Sequence, residues 1–324
     1  MNENFDLKYF QDVKSKKVEW LWYPYIPYGK ITIIQGDPGE GKTTVVLSLI
    51  SMLSKGEPLP FSNEKISAIS IYQNAEDDNS DTIKPRLEHH KANCKNVCFI
   101  EKSDGLLFMD DDSIEKAIVK SKAKLLVLDP IQAYIGDNVD MNRANVIRPR
   151  MTRLKETAEK TGCAIVLIGH MNKNSTGKAN YRNLGSIDIS AAARSVLIVG
   201  KMGKDTNVKV LAQSKNNLAP VGKSLTFKIE KGQIKWIAKS NITADEVLSG
   251  NHDKKTGKLD TAKEYLLDRL SKGPVLTKDL VEEAAVQGIG DRTLKTAKST
   301  LPISSIKRNG IWYWILNEEQ ERQG

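Results

Sequence analysis

Cysteine is scarce in this chain, with three among 324 residues (Cys94, Cys98 and Cys163). Three thiols cannot form a paired framework, and Cys94-x₃-Cys98 lacks the second ligand pair that a zinc site needs. They are expected as small apolar fillers in a reducing cytoplasm. Long apolar runs are missing too: none approaches the ~18 residues that span a bilayer, so no membrane helix and no membrane partner is expected. The polar, acidic start Met1-Asn2-Glu3-Asn4-Phe5-Asp6 gives no reason to expect a signal peptide. No internal repeat is visible. Core-forming residues and charge are in ordinary supply, at 40% hydrophobic and 27% charged, which describes a globular protein. A net charge of +9 with a pI near 9.2 permits a nucleic-acid partner without demonstrating one. The length has room for one large core plus a small module, or for two domains.

What the chain does have is a complete phosphate-binding loop, Gly36-Asp37-Pro38-Gly39-Glu40-Gly41-Lys42-Thr43, of the form G-x-x-x-x-G-K-[ST]. Its glycines let the backbone wrap so that successive N–H groups point at phosphate oxygens. Lys42 supplies a point charge to the β/γ-phosphates, and Thr43 offers a hydroxyl to Mg²⁺. Lys30–Gln35 reads as a buried strand entering the loop, and Thr44–Leu53 as an amphipathic helix leaving it. Gly36 to Thr44 are therefore the candidate nucleotide-binding residues.

Further apolar runs read as strands at Ser67–Gln73, Asn96–Ile100, Lys124–Asp129 and Cys163–Ile168. A helix is expected over Asn145–Thr161, with Pro149 in its first turn or kinking it and Gly162 as its stop. Runs without alternation, separated by helices, indicate a parallel sheet covered on both faces. Ser195–Val199, Asn207–Gln213, Leu225–Glu230 and Gln233–Ala238 alternate more and are expected as antiparallel strands at the sheet edge. The fold class is thus α/β, a mainly parallel core with antiparallel edge strands. Residues 1–240 form this domain, and the polar, Gly-containing stretch 241–258 reads as a linker. Leu259–Ser271, Thr277–Gln287 and Asp291–Ser299 read as helices, the last with Asp291 as N-cap. Ile303–Leu316 reads as a hairpin turning at Asn309-Gly310, so residues 259–324 follow the plan of a small winged helix-turn-helix domain.

Strand ends carry the polar groups, and in an open parallel sheet those ends converge on one crevice. Asp129 is the candidate second carboxylate for Mg²⁺, or else a turn residue. Glu76 suits a general base that orients the attacking water, or else belongs to a solvated acidic turn with Asp77 and Asp78. His170, at a strand exit after Gly169, suits a γ-phosphate sensor, although a lone strand His is more often structural.

Gly36–Thr43, Asn74-Ala75-Glu76-Asp77, Leu125–Pro130, Ile168–Lys173 and Gly185–Ser195, in this order, resemble the motif set of RecA-like ATPases of the plasmid RepA hexameric-helicase type. The resemblance covers about residues 20–240, and the C-terminal segment is similar to one appended to many plasmid and phage relatives. It implies a homo-oligomer, usually a hexameric ring, with ATP and Mg²⁺ bound between neighbours. Lys42, Glu76, Asp129, His170 and Arg194 are the implied catalytic residues, with Thr43 and Asp129 on the metal. Arg86 and Lys215 fall at basic positions that contact the γ-phosphate or the adjacent subunit. Related helicases place an arginine finger where Gln213-Ser214-Lys215-Asn216-Asn217 offers Lys, so Arg194 becomes the candidate finger and Lys215 a supporting cation. A structural ion pair is the other reading of Arg194. Lys173, Lys178, Tyr181 and Arg182 are the candidate single-strand contacts, by charge and by stacking; a mobile surface loop is the alternative. The expected function is Mg-dependent ATP hydrolysis by a cytoplasmic replicative-type DNA helicase of a plasmid, phage or other mobile element, acting on single-stranded or forked DNA. The alternative is an ATP-gated DNA-binding regulator or loader.

Overall fold

Nine strands form one sheet, six of them parallel, and the apolar runs of the sequence lie at its centre. The computed structural model describes residues 7–103, 105–136, 144–171, 187–202, 207–249, 256–271, 273–286, 289–308 and 310–317. The chain divides into two compact units, Met1–Gly250 and Asn251–Gly324.

In the first unit the elements are β1 (Trp20–Trp22), β2 (Ile26–Pro27), β3 (Ile31–Gly36), α1 (Lys42–Lys55), β4 (Ser70–Asn74), α2 (Lys84–His89), β5 (Val97–Cys98), α3 (Asp112–Ser121), β6 (Leu125–Asp129), α4 (Ala144–Thr161), β7 (Ala164–His170), α5 (Ile187–Ala192), β8 (Ser195–Lys201), β9 (Val208–Asn216), β10 (Ser224–Glu230), β11 (Gln233–Ser240) and α6 (Ala244–Ser249). The sheet order is β11-β10-β9-β8-β3-β7-β6-β4-β5. Strand residues alternate between two apolar layers, which is why their sequences show no polar face. Ile34, Val127 and Val166 face the layer containing α1, while Ile33, Leu126, Leu128, Ile165 and Leu167 face the layer containing α3 and α4. The aromatic-rich stretch Trp20–Tyr28 lies on the α1 side: Trp22 is buried against Tyr25 and Trp236, and its indole N–H donates to Pro60 O at 3.1 Å.

Three local readings need correction. Ser195–Val199, expected with the antiparallel edge, lies in β8, which runs parallel beside β3, and the antiparallel part begins at β9. Its Val196–Val199 segment is buried on both faces, so it belongs with the core runs. Of the two places expected for Pro149, the first turn is excluded, since it sits inside α4. The stretch read as linker contains α6, whose Ala244 and Val247 pack on Ile198, Val210 and Ala212.

The second unit contains α7 (Thr256–Leu270), β12 (Val275–Leu276), α8 (Thr277–Val286), α9 (Asp291–Ser299), β13 (Ile303–Arg308) and β14 (Ile311–Leu316). Its strands form a separate antiparallel sheet, ordered β12-β14-β13. Leu266, Leu280, Leu294 and Trp314 meet in its own core. Gly290 caps α9, not Asp291, which is the first helical residue and places its carboxylate in the first turn. No helix among the described residues is long and apolar enough to cross a membrane.

Candidate functional site

The carboxyl ends of β3, β4, β6 and β7 meet at the phosphate loop, because these strands are paired in parallel and in register. Gly36 aligns with His170, and Asn74 with Asp129. Gly36 is required by space: a Cβ there would lie 2.3 Å from Val199 O. Gly41 is required by conformation, with φ +91°, and Ile229 of β10 occupies the place a Cβ would take. Gly41 is also the N-cap of α1 and offers no side-chain cap, so the first N–H groups of a 14-residue helix remain available to an anion.

Lys42 is buried, and its ammonium donates to Gly36 O and Asp37 O, both at 2.9 Å. It also lies 3.2 Å from His170 Nδ1, which accepts when that nitrogen is unprotonated. Burial pulls the Lys42 pKa down, against the opposing charges of Asp129, Asp37, Glu40 and Glu76. Asp129 is buried as well, and burial pushes its carboxyl up; hydrogen bonds from Tyr72 and Thr43 and the charges of Lys42 and His170 work the other way. The donors are specific: Thr43 Oγ1 gives to Asp129 Oδ2 at 2.8 Å, and Tyr72 Oη gives to the same oxygen at 2.7 Å. Both ionic side chains are thus poorly hydrated, which strengthens their attraction for a polyphosphate and for a cation.

Glu76 follows from the β4 turn. Asn74 Oδ1 accepts from the N–H groups of Glu76 (3.3 Å) and Asp77 (3.4 Å), and Ala75 N–H donates to Asp129 O at 3.1 Å. This turn sets Glu76 on the wall of the same cleft as Lys42, Thr43, Asp129 and His170, a space of about 970 Å³. Glu76 is exposed, as is Arg86, which also lines the cleft and pairs with Asp77 at 2.7 Å. That exposed pair holds Arg86 only weakly.

Two expected residues do not join the cluster. Arg194 precedes β8, and its N–H donates to Ile31 O at 2.9 Å, at the amino end of β3. The phosphate loop begins five residues further along that strand, about 16 Å away. Lys215 pairs across from Val196, and its ammonium donates to Ser190 O at 2.7 Å. Burial and the neighbouring Arg194 charge both lower the Lys215 pKa, so the two cations sit together at the end opposite the loop. Lys173, Lys178, Tyr181 and Arg182 lie outside the described residues.

Several cleft residues escaped the sequence reading. Tyr72 sits within an apolar strand run and carries no local signal of its bond to Asp129. Lys209 donates to Gly39 O at 3.2 Å and pairs with Glu40 at 2.9 Å, tying the loop to β9. The outer wall is α2 against the β10–β11 turn: Gln233 Nε2 donates to His89 O at 2.6 Å, and His89 Nε2 bonds Lys231 O. His90, Ile229 and Gly232 complete this wall.

Loop, helix and paired carboxylate together define the class: an α/β protein with a P-loop of the nucleotide-binding kind. The family is shown by sequence. Residues 6–176, more than half of the chain, match the AAA domain family, and the chain belongs to it. It is 22% identical over 221 residues to protein RecA of Mannheimia haemolytica, covering 64% of this chain and 57% of that protein. It is 26% identical over 166 residues to the DNA repair protein RadA of Halalkalibacterium halodurans, covering 50% of this chain and 32% of that protein. The chain therefore spans roughly a third to just over half of these relatives. A KaiC-like protein of Pyrococcus horikoshii matches in structure with a TM-score of 0.48 at 16% identity, over 66% of this chain and 91% of that one.

Proposed function

We propose that the chain is an ATP-hydrolysing, RecA-like motor acting on DNA as a homo-oligomeric ring, a replicative-type helicase of a plasmid, phage or other mobile element. The observation that carries the reading is the Thr43–Asp129 contact of 2.8 Å beside Lys42, with Glu76 on the wall of the same cleft. The name of the RadA relative, a DNA repair protein, supports DNA as the object of the motor.

The donor set fits Mg²⁺. A hydroxyl and a carboxylate are hard oxygens, and among the described residues no group of three His, Cys, Asp or Glu could hold a metal by itself. That suits an ion held by one or two protein oxygens together with substrate phosphates. Thr43 and Asp129 would hold it, and when bound it supplies charge neutralisation at the β- and γ-phosphates. The N–H groups of Gly39 to Thr44 cradle the polyphosphate, and Lys42 leaves its carbonyl partners to neutralise the γ-phosphate. Glu76 accepts a proton from the attacking water. His170 hydrogen-bonds the γ-phosphate and reports its loss to the residues that follow. Arg194, with Lys215 beside it, serves a neighbouring copy, since it lies too far from the loop of its own chain. Lys173, Lys178 and Arg182 contact single-strand phosphates, and Tyr181 stacks on a base. The second unit, with its three helices and three-stranded sheet, is a winged-helix-like domain that follows α6 in the chain.

The test is steady-state ATP hydrolysis by the full chain with and without single-stranded DNA, alongside unwinding of a forked duplex. Stimulation together with unwinding is expected. Hydrolysis or binding without unwinding would move the protein to the class of ATP-gated DNA regulators or loaders.

A further inference from the structure

The described residues of the second unit are polarised in charge. Residues 292–317 contain Arg292, Lys295, Lys298, Lys307 and Arg308 and no Asp or Glu, whereas the acids of this unit's described residues all fall at or before Asp291. Two of the five cations are engaged away from the end of the hairpin. Lys295 pairs with Asp291 at 2.8 Å, and Lys298 lies 4.5 Å from the Trp314 ring and bonds Ser305 Oγ. Lys307 and Arg308 are exposed at the end of β13.

Opposite them stand apolar groups that ordinary packing leaves uncovered. Register pairs Lys307 with Trp312 and Arg308 with Ile311. Trp312 is 53% and Ile311 52% exposed, although Trp314, two residues on, is buried in the core. Lys307 Nζ sits 5.6 Å from the Trp312 ring. Successive strand residues point to opposite faces, so the end of the hairpin carries one cation and one large apolar side chain on each face. An indole with one cation on its own face and a second on the other, and no acid among the described residues of the hairpin, suits a ligand that is both polyanionic and flat.

We propose that the β13–β14 hairpin end binds nucleic acid where a base face is open, at the junction of a duplex and a single strand. Trp312 stacks on the exposed base there, and Lys307 and Arg308 hold the adjoining phosphates. The assignment rests on DNA as the substrate of the motor. A protein partner is disfavoured because an isolated cationic hairpin without an acid selects for a dense polyanion.

Binding of the full chain to a fluorescein-labelled fork, a blunt duplex of the same sequence and a single strand tests it, without nucleotide and across a salt series. Trp312→Ala should weaken fork binding about 5- to 100-fold and blunt-duplex binding far less, while Trp312→Phe retains most of the affinity. The double variant Lys307→Gln/Arg308→Gln should weaken binding to the fork and lower its salt slope by about 1.4, from two single-strand contacts. ATP hydrolysis without DNA should be unchanged in all three variants, which verifies folding. Equal weakening of fork and blunt duplex by Trp312→Ala would overturn the stacking. Unchanged affinity and slope in the double variant, with single strands still stimulating ATP hydrolysis, would sink the hairpin assignment alone. Loss of stimulation in the wild-type chain would instead sink the motor reading.

Discussion

The two ends of the parallel sheet carry clefts of the same volume, about 970 Å³, and they are chemically opposite. At the carboxyl ends two ionic groups are buried and held by directed hydrogen bonds, Lys42 to loop carbonyls and Asp129 to Thr43 and Tyr72. At the amino ends Lys16, Lys17, Lys30 and Lys124 line the cleft with Glu19 and Glu159, and Arg194 contributes to the field at Glu159. Lys30 and Glu159 pair at 2.9 Å, yet their side chains remain 30% and 40% exposed. Desolvation is what separates the two. A buried carboxylate with two directed donors is pre-set for a cation and a phosphate, whereas exposed cations are screened and do no chemistry within their own chain. On the proposed reading, the amino-end cations act when a neighbouring copy covers them.

The largest break in this comparison is expected from Arg194→Ala. A finger supplied in trans is worth about 10³–10⁵ in turnover, so hydrolysis should collapse while nucleotide affinity stays. Mixing this variant with Lys42→Ala chains, which keep Arg194 but have a dead loop, should restore part of the activity. No rescue at any ratio, with mixed assembly verified, would return Arg194 to a structural role.

At the buried end, Tyr72→Phe removes one donor from a desolvated carboxylate and keeps the ring. A hydrogen bond to a charged group contributes about 1.5–3 kcal/mol. For a unit of this size the melting temperature should fall by roughly 3–12 °C. The magnesium concentration for half-maximal turnover should rise as well; an unchanged value would mean that Tyr72 does not tune Asp129.

Lys209→Ala frees the Gly39 carbonyl, leaves Glu40 only its 3.9 Å pair with Lys201, and should loosen the loop without touching the reacting groups. A pair of this kind is worth ~1 kcal/mol, so KM for ATP should rise about fivefold with kcat spared. A fall in kcat alone would contradict a purely positioning role.

The smallest effect concerns His90 on the cleft wall. Burial, then the charges of His89 and Lys55, hold its pKa below the ordinary 6.5. The unfolded chain then binds the proton more readily than the folded one. Its contribution to stability is full above 6.5 and is lost as pH falls from there through the folded value. Denaturant midpoints should drop as pH falls below 6.5, and His90→Gln should flatten that slope; an identical slope would place the titrating group elsewhere.

How much of this was legible follows from which features are local. Ile31–Gly36, Leu125–Asp129 and Ala164–His170 announce themselves as apolar runs, and the phosphate loop as a fixed spacing, so the floor of the cleft could be read directly. Glu76 and His170 were legible because parallel strands bring their ends together. The direction of Ser195–Lys201 was not, since a buried run looks alike whether its partner is parallel or antiparallel. The wall from His89, Ile229 and Gly232 depends on pairings between residues more than 140 positions apart, and Tyr72 is indistinguishable in sequence from a packing tyrosine. The helix Ala244–Ser249 was hidden in a polar stretch because its apolar face, Ala244 and Val247, is only one turn long.

The most direct test is ATP retention against ATP turnover in Glu76→Gln. The amide lines the same cleft and keeps the side-chain shape but cannot take a proton from water, so bound ATP should be held at near wild-type affinity while turnover falls about 10²–10⁴-fold. Turnover at the wild-type rate, with Asp77→Asn or Asp78→Asn inactive instead, would show that the hydrolytic base has been assigned to the wrong carboxylate.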